Sequence, residues 1–405
     1  MSMSPVLSVI RRHVEEAAIL RNARNGMVSG PHVRLRHLQR LDERLAAHLD
    51  GVAVAGPKGA AMCWAALERL GIGEVFTAAV RAIEDRDVAW LERIMAIVEA
   101  EQSLLPALRS AFGWVSAQFL QGTIRDLLES PSPFRQQLGI SACAMHRVDP
   151  GPMLPRMLES HDASVRAASL RAAGECGRID LLNACTAALA DDDLRCRYFA
   201  ARSAVFLGDR GRGVATLEQV SSEFEALSVL LKLLDVAHAN SALKTLAQSS
   251  SDARTLVRGA GVSGDPYYVP WLIRQMGDVK LARLAGEAFS LLAGVDLAAL
   301  GLDASGAGAG EDDMAVDDDD GLPWPDQAKV QAWWDANQHR FQPGVRYFMG
   351  EPPSVAHCLK VLREGYQRQR IAAAEYLCLL QPGTKLFPTS APAWRQQRWL
   401  KQMES

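Results

Sequence analysis

A short arginine-centred pattern recurs at a fixed interval in the middle of the chain, and that interval constrains the fold more than any other feature. It reads Phe134-Arg135-Gln136-Gln137-Leu138-Gly139, then Val165-Arg166-Ala167-Ala168-Ser169-Leu170, then Cys196-Arg197-Tyr198-Phe199-Ala200-Ala201, which sets Arg135, Arg166 and Arg197 31 residues apart. Asp162 and Asp193 precede the second and third arginines by four residues, and Gly177 and Gly208 follow them by eleven. Each unit holds two helical patterns. A period in the low thirties built of helix pairs is the mark of an α-solenoid, in which a unit buries its apolar face only by stacking on its neighbours. The register then loosens. Arg254 and Arg283 stand 29 apart, Gly294 again follows Arg283 by eleven, and Arg370-Ile371-Ala372-Ala373-Ala374-Glu375 repeats the pattern once more.

The rest of the chain reads as helix as well. Apolar residues at helical spacing predict helices over 6–24, 32–48, 58–70, 74–83, 88–100, 104–112 and 115–128, alanine-rich and without a competing strand pattern. A further apolar helix is expected over 224–236. The expected architecture is therefore all-α: an atypical N-terminal region over 1–130, a repeat array over 131–300, a flexible acidic linker over 301–322, and an aromatic-rich helical region over 323–405 that ends in one more repeat.

The linker expectation rests on composition. Residues 303–321 carry eight acidic side chains, no basic ones, and the run Ser305-Gly306-Ala307-Gly308-Ala309-Gly310, too little apolar surface to offset the entropy of ordering. From Trp324 to Ser405 eleven basic residues face six acidic ones, so the linker has a charge complement available there. Over the whole chain the net charge is −3, which argues against a surface given over to nucleic acid or anionic lipid. Seven cysteines, an odd number with no Cys-x-x-Cys pair, read as reduced thiols packed as small apolar side chains in the cytoplasm. No export signal and no run of eighteen apolar residues stands out, so no membrane partner is expected.

No set of residues reads as catalytic, metal-binding or cofactor-binding. Gly51, Gly56 and Pro57-Lys58 miss the phosphate-loop spacing, because lysine does not directly follow the second glycine. Asp317 to Asp320 lacks the alternating oxygens and mid-loop glycine of a calcium loop. His13 beside Glu15 and Glu16 reads as a solvated helix face, and Ser241-x-x-Lys244 as a chance match on a helix. The recurring Arg135, Arg166, Arg197, Arg283 and Arg370, with Asp162 and Asp193, read as a structural ladder, since repetition points to a contact every unit needs. The sharper candidates are aromatic. Trp324, Trp333, Trp334, Trp394 and Arg395 are candidate partner-binding residues, and the alternative for the tryptophans is that they plug the end of the array.

The repeat pattern resembles a HEAT-type repeat, in which the turn aspartate caps the second helix and the arginine reaches to the neighbouring repeat. Four segments extend the resemblance: His13-Val14-Glu15-Glu16-Ala17-Ala18, Leu41 to Gly51, Leu322-Pro323-Trp324-Pro325 with Trp333-Trp334, and Ala391 to Arg398. Together they are similar to an uncharacterised family of proteobacterial HEAT-repeat proteins often encoded near type VI secretion genes. The resemblance implies a cytoplasmic, non-enzymatic adaptor or scaffold, accessory to an effector or spike-tip component. The alternative is a nucleic-acid-binding or DNA glycosylase- or lyase-like member of the same fold, which would need a basic concave groove and a catalytic aspartate.

Overall fold

The computed structural model describes residues 6–220, 223–249, 252–304 and 319–403. These form twenty-two α-helices and six short 3₁₀ turns. Among the described residues there is no strand, only two isolated bridges, Asp303 with Pro325 and Phe348 with Glu351. The all-helical expectation holds. The division into segments differs from the expected one: the chain forms two compact units, Met1–Ser29 with Val33–Ala184 and Lys385–Ser405, and Gly30–His32 with Cys185–Thr384. Local periodicity has no means of registering a tail that returns to the first unit. The described residues on both sides of the acidic stretch belong to the second unit.

Boundaries moved where backbone chemistry overrode the apolar pattern. The helix expected over 115–128 is a 3₁₀ turn at Ala117–Leu120 and a helix at Thr123–Glu129, parted by Gly122 at φ +85°. The helix expected over 224–236 ends at Leu233, and a second runs Val236–Ser249, whose first turn is held by Asp235 accepting from the backbone N–H of His238 at 2.9 Å.

In the first unit the Ile72–Glu84 helix is buried from Val75 to Ile83, and its polar stripe is satisfied locally, Thr77 donating to Gly73 O at 2.9 Å and Arg81 to Asp85 at 2.6 Å. The Leu7–Met27, Pro57–Ala66, Val88–Ala100 and Leu105–Trp114 helices pack on it. Gly73 permits the closest of these approaches, since a Cβ there would lie 2.5 Å from the Ala18 carbonyl oxygen. Asp42, 1% exposed, binds Arg24 Nε at 2.6 Å and the backbone N–H of Ala393 at 2.7 Å. One carboxylate thus joins the Leu7–Met27 and Leu35–Val54 helices to the Ala393–Gln402 helix. His13 departs from its expected place on a solvated face: it is half-buried, its Nδ1 3.1 Å from His48 Nδ1.

The repeat residues act locally. Asp162 accepts from the backbone N–H groups of Ser164 and Val165, Asp193 from that of Cys196, and Asp252 from those of Arg254 and Thr255, each at a helix start. Arg166 donates back to the carbonyls of Ser160 and His161, and Arg197 to that of Asp191 at 2.9 Å. Arg135 instead crosses to Glu92 of the Val88–Ala100 helix. Gly177, Gly208, Gly264 and Gly294 all take positive φ as their helices close.

In the second unit Glu375 of the Gln367–Leu380 helix binds Lys232 Nζ at 2.9 Å and lies 3.5 Å from Arg202. Burial alone would raise its carboxyl; the two cations hold it below the usual carboxylate range. Arg370, fully buried, donates to Leu362 O at 2.7 Å and to Gln367. Of the acidic stretch, residues 305–318 lie outside the described residues. Its near edge, Asp303, offers a backbone oxygen to Lys329. Its far edge meets ladder arginines: buried Asp319 accepts from Arg254 at 2.7 Å, and Asp320 lies 3.9 Å from Arg283. All seven cysteines are buried free thiols.

The Glu375 pairing is testable. Glu375→Gln takes the carboxylate away from buried Lys232 and should lower stability by about 3–5 kcal/mol in urea denaturation. The double variant Glu375→Gln with Lys232→Met should recover more than half of that loss.

Candidate functional site

A hollow in the second unit is built where four consecutive elements meet a returning aromatic loop. The Ala253–Ser263 helix stops at Gly264, in the left-handed region at φ +68°. Asp265, buried, then caps the 3₁₀ turn Pro266–Tyr268 by accepting from Tyr267 N–H at 3.0 Å, and the Val269–Gln275 helix follows at once. Two prolines in six residues, Pro266 and Pro270, fix the turn that displays Tyr267 and Tyr268.

Backbone contacts lay the loop at 341–348 against this turn. Tyr347 N–H donates to Gly264 O at 2.8 Å, and a Cβ on Gly264 would stand only 2.2 Å from the Tyr347 carbonyl oxygen, so glycine is required there. Arg346 donates to the carbonyls of Ser263, Lys232 and Leu234, satisfying the open end of the Phe224–Leu233 helix. Burial lowers the pKa of Arg346, a cost that these three acceptors offset. An aromatic chain continues from the loop: Tyr347 to Phe341 at 4.9 Å between centroids, and Phe341 to Trp334 at 5.1 Å.

The result is a cavity of about 850 Å³ walled by Tyr267, Tyr268, Trp271, Trp334, Phe341 and three prolines. Its lining carries two cations, Lys244 and Arg274, both exposed, and no carboxylate. Tyr267 is 72% exposed at the rim, edge-on to Tyr268 at 5.3 Å. Burial, then Asp265 and Tyr267, push the Tyr268 phenol up to about 12, which keeps it a donor at neutral pH. A second hollow of about 550 Å³ shares Lys244 and Tyr267 and adds Asp235, Asn240 and Asp265. There Asn240 Nδ2 donates to Asp265 at 2.7 Å, while its buried Oδ1 has no hydrogen-bond partner among the described residues. An acceptor held in that way suits an incoming N–H.

The sequence candidates divide between units. Trp334 is buried at the base of the cavity. Trp333 is half-buried against Phe289 at 5.7 Å, and Trp324 lies under the Arg283 guanidinium at 5.3 Å. These three are buried or half-buried and make no exposed patch; Trp334 lines the cavity. Trp394 and Arg395 belong to the first unit. Trp394, 40% exposed, meets Trp114 edge-on at 4.7 Å, and Arg395 donates to Gly113 O and Val115 O at the end of the Leu105–Trp114 helix. Sequence reasoning missed Tyr267 and Tyr268. The available signal was the Asp265-Pro266-Tyr267-Tyr268 junction, an aromatic pair on a capped turn between two helices.

Ser241 donates its hydroxyl to Ala237 O, and His238 pairs with Asp235 in open solvent. Among the described residues no cluster of three metal-ligating side chains occurs, and no helix is long and apolar enough to cross a membrane. Set against protein-family models, curated proteins and solved structures, the chain matches none.

Wall and rim residues separate by stability. Trp334→Ala empties a packed aromatic site and should cost about 3–5 kcal/mol in chemical denaturation. Tyr267→Ala removes an exposed ring and should stay within about 0.5 kcal/mol of the parent.

Proposed function

We propose that the chain is a non-enzymatic protein-interaction scaffold or adaptor, built as a solenoid of HEAT-like helix pairs, whose unit at Cys185–Thr384 seats an extended segment of a partner protein. The observation that carries this reading is the aromatic and proline-walled cavity with two rim cations and no lining carboxylate. Aromatic walls favour an aromatic or large aliphatic anchor, since such side chains dominate binding energy when a pocket desolvates them. Lys244 and Arg274 favour acidic residues flanking that anchor. Asn240 Oδ1 offers an acceptor to a backbone N–H of an extended chain. The family resemblance names the kind of partner: a secreted effector or a spike-tip component held before loading, in the cytoplasm.

Selection of a phage-displayed peptide library on the full chain tests the reading. It should enrich peptides that place Trp, Phe or Leu beside Asp or Glu. A selected peptide should bind Tyr267→Ala about 30-fold more weakly, equivalent to about 2 kcal/mol at an anchor contact. Lys244→Glu with Arg274→Glu should weaken it further at low salt. Enrichment of basic peptides, or equal binding to parent and Tyr267→Ala, would overturn the assignment.

A further inference from the structure

The first unit contains a second cavity of opposite character. It measures about 230 Å³ and draws arginines from five places in the sequence: Arg21 and Arg24 of the Leu7–Met27 helix, Arg109, Arg147, Arg171, and Arg395 of the Ala393–Gln402 helix. One carboxylate lines it, Glu175, already shared between Arg147 and Arg171 at 2.7 Å each. Asp42, behind Arg24, neutralises that one guanidinium. The lining thus carries six guanidinium groups and one carboxylate in a partly enclosed space.

Two of these arginines have only neutral acceptors. Arg21, 5% exposed, donates to Ser110 Oγ at 2.6 Å, to Pro106 O and to the Asn22 side chain. Arg395 donates to the carbonyls of Gly113, Trp114 and Val115. Burial and the neighbouring Arg24 lower the pKa of both, bringing Arg395 down to about 10, and burial with Arg395 brings the nearby His146 down to about 4. The histidine therefore adds no charge at neutral pH. Converging guanidinium groups from several directions, without matching carboxylates, suit a tetrahedral polyanion better than a planar one, and planar forks bind its oxygens in pairs. The lining also holds the apolar side chains Phe76, Trp114 and Met145. The volume admits a phosphate with a small organic substituent and falls below the roughly 300–1,000 Å³ of a drug-sized site.

The geometry points to a binding site for a small phosphomonoester, its phosphate held by Arg21, Arg171 and Arg395, and its organic part against Phe76 and Met145. This site is separate from the aromatic cavity and does not depend on it.

Isothermal titration of the full chain with phenyl phosphate and with inorganic phosphate, at ionic strength fixed with sodium chloride, tests it. Phenyl phosphate should bind saturably at one site per chain, more tightly than inorganic phosphate, and should raise the thermal midpoint. Arg171→Gln, a side chain 52% exposed whose loss leaves Glu175 paired with Arg147, should fold as the parent does and bind at least tenfold more weakly. Arg21→Gln should do the same by removing a buried charge that has no counter-ion. Absence of a saturable heat with phenyl phosphate would overturn the proposal. So would undiminished binding by both variants.

Discussion

Each unit of this protein depends on a buried carboxylate shared between helices far apart in sequence. Alanine-rich helices pack closely, but their smooth faces specify register weakly, because sliding one past another changes few large side chains. Asp42 removes that freedom in the first unit: it can satisfy Arg24 and the Ala393 N–H together only when three helices sit in one arrangement. Glu175 does likewise with Arg147, which also donates to Leu386 O and so secures the returning tail. In the second unit Glu375 gathers Lys232 and Arg202, and Glu287 takes Arg368 at 2.8 Å. Each carboxylate lies where an unpaired charge would be costly, so the pairing acts as a condition on the fold.

The same logic explains what was legible in the sequence and what was not. Helix identity, the aspartate caps and the glycine stops are local, fixed by residues within one or two turns, and their spacing announces them. The partner of a recurring arginine is not fixed by its place in the repeat. Arg166 and Arg197 turn back to loop carbonyls, Arg135 crosses to Glu92, Arg254 takes Asp319, and Arg370 is sealed in the core. One letter in one register thus serves several contacts. Arg135 reaches a neighbouring helix, whereas Arg197 donates to a carbonyl of the loop before its own helix. Tail return and the grouping of both sides of the acidic stretch depend on such long-range pairings, which no periodicity encodes.

The candidate site was half visible. Trp334 was singled out for its aromatic surroundings and lies at the base of the cavity, yet the accessible ring is Tyr267, carried by a proline-fixed turn whose display depends on Gly264, Tyr347 and Arg346. Arg346 matters because its three carbonyl acceptors come from two separate helix ends, and this pins the aromatic loop against the turn. The remaining tryptophan candidates serve packing: Trp324 under Arg283, Trp333 on Phe289, Trp394 on Trp114. Rigid placement of the aromatic cavity by the helices around it limits the ordering cost of any binding there.

Hydrogen–deuterium exchange of the full chain, with and without a bound acidic-aromatic peptide, addresses the central claim most directly. The account predicts slowed exchange in the Val236–Ser249 helix, the turn at 264–271 and the segment at 334–343, with the first unit unchanged. Slowed exchange confined to other helices, with the turn at 264–271 unaffected, would contradict it.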